Sequence, residues 1–155
     1  MSAVVRLFSR LRRSESGGAM VELAVILPVL ILFAVGVMDY GRVFFRALIV
    51  ANAARAGAEY GTLNVANSSQ QVSIQGFAKL DGQEISGLAV SSSQVCRCGD
   101  NVVACATATC PGYGSGAPRV YVVVTAIDTV NLILRYPGLP TRVPISRTAT
   151  FRAPQ

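Results

Sequence analysis

The chain has 155 residues, 52% of them apolar and only 14% charged, with a formal net charge of +6. A soluble domain is usually about 25% charged, so part of this chain is not solvated by water. Histidine is absent, which excludes Ser–His and Cys–His nucleophile pairs and every His-ligated metal site.

Residues 1–17 read as a basic leader, with Arg6, Arg10, Arg12 and Arg13 set against Glu15. The leader lacks aromatic interleaving, and the apolar run behind it accounts for its charge more simply than nucleic acid does, so no nucleic-acid partner is expected. Residues 18–39 read as a transmembrane helix. From Ala24 to Met38 there is no charge, and back to Gly17 only Glu22 interrupts the run. A span needs roughly 20 mostly apolar residues. The arginines before it stay in the cytoplasm by the positive-inside rule. The C-terminus then lies in the periplasm or outside the cell. A cleaved secretory signal fits less well, because its apolar core runs to only about 7–15 residues. The A-x-A-like Ala51-Asn52-Ala53 also lies too far downstream.

Two residues inside the span carry a cost. Pro28 removes a backbone donor and clashes with the carbonyl of Ala24, so a kink is expected there, either incidental or as a hinge. Glu22 places a carboxylate a turn or two inside the cytoplasmic border, where acidic side chains are rare. It either stays hydrated among headgroups or meets a partner.

Residues 40–62 continue the helix beyond the membrane, being rich in Ala, Leu and Arg and free of Pro. Ala47, Ala51, Ala54 and Ala58 form a small-residue stripe at helical spacing, which permits close approach of another element. That element is either the chain's own strands, the favoured reading, or a neighbouring subunit. Gly61 is a plausible helix stop.

Residues 14–61 carry a combination of features that is more specific than any of its parts: Gly17-Gly18, Val21-Glu22-Leu23, Pro28, Asp39-Tyr40-Gly41-Arg42 and Asn52-Ala53-Ala54-Arg55-Ala56-Gly57-Ala58. This stretch resembles the TadE-like family, pseudopilins of tight-adherence (Flp) pilus systems. The resemblance implies a pilin-like fold and a prepilin peptidase that cuts at Gly17 or Gly18. Cleavage after Gly17 makes Glu22 the fifth mature residue, which matches the prepilin pattern. It also implies that Glu22 pairs with the α-amino group of another subunit and sets the register between them. The implied partners are membrane lipid, other pilins or pseudopilins, the assembly platform and the peptidase.

Residues 63–155 read as a small α/β periplasmic domain. Ser68 or Ser69 is placed to cap a short helix running to about Leu80, with Val72, Ile74, Phe77 and Leu80 as apolar anchors. Asp81-Gly82 signals a turn. Strands are expected at 88–98, 119–128 and 144–152, the second central and the last an edge. Tyr136-Pro137-Gly138-Leu139-Pro140 reads as a loop. The fold class is therefore α+β: a long N-terminal helix followed by a small antiparallel sheet with a Cys-rich loop at 96–110.

Cys96, Cys98, Cys105 and Cys110 lack the paired knuckles of a zinc site, and outside the cytoplasm they read as disulfides. Three connectivities are open. One of them, Cys98–Cys105 inside Cys96–Cys110 across a Gly99-Asp100-Asn101 turn, gives a nested hairpin. No metal, cofactor or small-molecule substrate is expected. Asp81 and Glu84 read as solvated. The Gly-rich 112–116 segment lacks the Lys-Ser/Thr of a phosphate loop. The expected function is structural: a minor pilin or pseudopilin, with a membrane-anchored periplasmic adaptor or binding protein as the alternative and an enzyme excluded.

Overall fold

The computed structural model describes residues 16–112, 116–134, 138 and 140–154. The four leader arginines lie outside the described residues, as do Tyr136, Pro137 and Leu139 of the expected loop.

Ser16–Thr62 is a single 47-residue α-helix, α1, which Pro28 does not interrupt. The boundary between two compact units falls after Gly41, within α1. In the first unit nearly every described side chain is exposed, Leu23, Val29 and Phe33 among them. The helix is long and apolar enough to cross a membrane, and its most apolar stretch has no buried residue.

In the second unit one face of α1 is covered. Val50, Ala53, Ala54, Gly57, Ala58 and Gly61 are buried. They recur at three- and four-residue steps, which keeps them on one side of a helix turning 100° per residue. After α1, Asn67–Ser69 forms a 3-10 turn and Gln71–Asp81 a second helix, α2. Four antiparallel strands follow: β1 (Ala89–Cys98), β2 (Asn101–Val103), β3 (Arg119–Asn131) and β4 (Arg142–Arg152). Their order in the sheet is β2-β1-β3-β4. The strand at 119 is internal and the last strand is an edge, as the residue pattern indicates. β3 runs three residues further than expected because Val130 is still buried against the core.

Helix and sheet close over two adjoining apolar clusters. Val50, Ala53 and Ala54 meet Ile85, Leu88, Ala126, Val130 and Ile145 in one. Ala58 meets Ile74, Ala78, Val122 and Val124 in the other. Each fully buried Val or Ile contributes roughly 1.5–3 kcal/mol. The small residues on α1 contribute less by area, but they let the backbones pack at interior density.

Two expectations about the segment from 63 to 103 are corrected, and one strand is added. Ser68 and Ser69 do not cap α2, whose N-cap is Gln70 with no side-chain cap. Their hydroxyls instead donate back to Val65 O at 2.6 Å and Ala66 O at 2.9 Å, completing the 3-10 turn. Val72, Phe77 and Leu80 do not anchor α2, and Val72 is 86% exposed. At 100° per residue Val72 points roughly 160° away from Ile74, so the two cannot face one core. Ile74 and Ala78 alone are buried, while Phe77 stacks on Tyr60 with ring centroids 3.9 Å apart. Finally, β2 had no signal of its own, because three residues are too few to show a period.

Candidate functional site

The sequence-derived positions fall into separate groups. Gly17, Gly18 and Glu22 are exposed in the first turns of α1. Between Ser16 and Met38, Glu22 is the sole ionisable side chain, surrounded along the helix by Met20, Val21, Leu23 and Val25, all exposed.

The alanine stripe lies in the second unit. Ala54 and Ala58 are buried, and Ala47 packs against the same core. Three of the four alanines thus seat α1 on the chain's own sheet, and only Ala51, half-buried, borders an open groove with Arg55 and Arg147.

The glycines on the same face of α1 carry a requirement that their composition does not show. A Cβ at Gly57 would stand 2.9 Å from Ala78 Cβ and 3.1 Å from the carbonyl oxygen of Ile74. A Cβ at Gly61 would stand 2.8 Å from Val122 Cγ1. Gly61 therefore also serves close packing of α1 against α2 and β3, one residue before α1 ends at Thr62. The terminus is satisfied by side chains: Thr62 Oγ1 donates to Glu59 O at 2.9 Å, and Asn67 Nδ2 donates to Tyr60 O at 3.3 Å.

In the 3-10 turn before α2, Ser68 is fully buried, and its hydroxyl accepts from Gln94 Nε2 at 2.8 Å. Ser92 Oγ donates to Gln71 O at 3.3 Å and accepts from Gln75 Nε2 at 3.2 Å. These bonds join the 3-10 turn and α2 to β1 and satisfy polar groups that would otherwise be costly to bury.

All four cysteines are bonded, which removes the zinc alternative, but the pairing is crossed: Cys96–Cys105 and Cys98–Cys110. The nested arrangement is excluded by register. In the β1–β2 hairpin Cys98 faces Asn101 and Cys96 faces Val103. Cys105, two residues past Val103, is therefore carried toward Cys96, and the chain must reverse before Cys110 reaches Cys98. The turn itself is tight. Gly99 has φ of +61° and Asp100 does not have a positive φ, the pattern of a two-residue II′ hairpin.

No group of three or more metal-ligating side chains occurs among the described residues. What the arrangement offers is surface: an apolar helix in one unit, and in the other a disulfide-tied sheet packed on the helix's small-residue face. No curated protein and no solved structure matches the chain. Residues 17–59, the greater part of α1, match the family model described as TadE-like protein.

Proposed function

We propose that this protein is a minor pilin or pseudopilin that takes part in assembling a Tad (Flp) type pilus or a related secretion apparatus. The observation that carries this reading is coincidence in one segment: the TadE-like match over residues 17–59 falls on the helix whose first part is apolar and exposed. A match to that family implies a pilin-like component associated with a Tad pilus. The finer reading adds a leader removed at Gly17, an N-terminus in the cytoplasm and a C-terminal domain outside it. Two disulfides support the exported placement, because such bonds persist in oxidising compartments. The span anchors the subunit before assembly, and Glu22 pairs with a neighbour's α-amino group when helices gather.

Intact mass and N-terminal sequencing of the protein from its native membrane test this directly. A mature chain beginning at Gly18, absent when the prepilin peptidase is deleted, is expected. An uncleaved chain that never co-purifies with pilus components would instead favour the membrane-anchored adaptor.

A further inference from the structure

The sheet has a second face. Along β3, Tyr121, Val123, Thr125, Ile127 and Thr129 alternate with the buried Val122, Val124, Ala126, Asp128 and Val130, so they point away from α1. The strand register sets their neighbours. Ser91, Thr125 and Thr148 form one row, and Ser93, Val123 and Thr150 the next. Thr125 and Thr148 share a hydroxyl–hydroxyl hydrogen bond of 2.9 Å. Val95, Tyr121 and Arg152 make a third row, and Val102, Arg97 and Arg119 a fourth.

The fourth row carries an electrostatic cost. Arg97 and Arg119 stand directly opposite each other on paired strands, both exposed, and like charges in that position destabilise a sheet. The only acidic residue in the four strands is Asp128, and it lies on the opposite face. Arg97 is also held between two disulfide-bonded residues, Cys96 and Cys98, so its backbone cannot easily move to separate the charges. Beside the pair is a shallow concavity lined by Val95, Arg97, Tyr121, Val123 and Thr150.

The geometry points to this face as a binding surface for an acidic polysaccharide, a chain of sugar rings bearing carboxylates. Two arginines at paired strand positions can bring their guanidinium groups onto carboxylates that bridge them, and each can donate two parallel hydrogen bonds. The half-buried Tyr121 presents an aromatic surface to the apolar face of a sugar ring. The serine and threonine rows supply donors and acceptors for ring hydroxyls, at low entropic cost because those side chains are short. An extended acidic peptide fits this surface less well, since its backbone would pair along a sheet edge and not with a sheet face.

The test uses the full chain in a micelle of non-ionic detergent, so it does not depend on the pilus reading. Binding of polygalacturonate, neutral dextran and poly-L-glutamate is measured at low and high salt. Polygalacturonate should bind, weakening as salt is added, and dextran should not. The double variant Arg97→Gln, Arg119→Gln should bind at least about tenfold more weakly, while its unfolding midpoint holds or rises by up to about 4 °C as the like-charge contact is relieved. Tyr121→Thr, which keeps a strand-forming residue, should weaken polygalacturonate but not any residual poly-L-glutamate binding. Undiminished binding by the double variant would overturn the site. Poly-L-glutamate binding as tightly as polygalacturonate would overturn the polysaccharide assignment.

Discussion

Arg46 on α1 reaches the nearly buried Asp128 on β3, its Nη1 donating to Oδ2 at 3.3 Å. The side chains are 38% and 8% exposed respectively, so the two ends of this contact differ in what they lose if it breaks. A carboxylate deprived of its partner away from water costs more than a guanidinium that can turn to solvent. The contact ties helix to sheet at a polar position in an otherwise apolar seam.

Arg46→Met should therefore destabilise the domain more than Asp128→Asn does. Partial exposure of Arg46 lowers the effect to about 1–2 kcal/mol. The double variant should be less impaired than Arg46→Met alone, because no buried charge remains. Urea unfolding of the four proteins in detergent gives the coupling term, and a double variant worse than both singles would show that the pair is not the source.

Two glycines in helices should respond to alanine with opposite signs. Gly76 in α2 has nothing within 4 Å of the position a methyl would take, so Gly76→Ala should stabilise by up to about 1 kcal/mol through helix propensity. Gly57→Ala gains the same propensity but drives a methyl against Ala78 and the Ile74 carbonyl. Overpacking of that kind costs about 1–3 kcal/mol, and a net loss is expected. Thermal unfolding midpoints decide both, and a stabilised Gly57→Ala would show that α2 can shift away.

Non-reducing peptide mapping should recover Cys96 linked to Cys105 and Cys98 linked to Cys110, with no free thiol. Replacing Cys105 and Cys96 together by Ser should cost roughly 2–3 kcal/mol for a loop of this size. Recovery of a Cys98–Cys105 peptide would contradict the register of the β1–β2 hairpin.

Glu22→Gln separates insertion from assembly. The substitution removes a charge from an apolar helix, so membrane fractionation should be unchanged or slightly improved. On the proposed pairing of Glu22 with a neighbour's α-amino group, association with partner pilins should fall, since that amine would lose its counter-charge. That loss is on the order of 3–5 kcal/mol for a fully desolvated pair and smaller near hydrated headgroups. Normal pilus assembly by the variant would place Glu22 among the headgroups and leave the subunit register to other contacts.

Much of this protein is set by patterns that act along the chain. The apolar run from Ala24 to Met38 and the Ala-rich stretch after it specify one helix, because composition over many residues settles helicity and lipid compatibility before any tertiary contact forms. The nearly continuous apolar run Val120-Tyr121-Val122-Val123-Val124 likewise specifies an internal strand. Pairs of residues brought together from far apart follow a different rule, since folding alone makes them neighbours. Gly61 reads locally as a helix stop, and the proximity of Val122 and Ile74 makes it a packing position as well. The phase of α2 was chosen by the slot that α1 offers Ile74 and Ala78, which outweighed the apolar character of Val72 and Leu80. The disulfide pairing followed from hairpin register, a one-residue-sensitive quantity that cysteine spacing does not encode. Arg46–Asp128 and Arg97–Arg119 are likewise products of register between distant segments, where the energy of a contact depends on geometry that no local stretch of sequence contains.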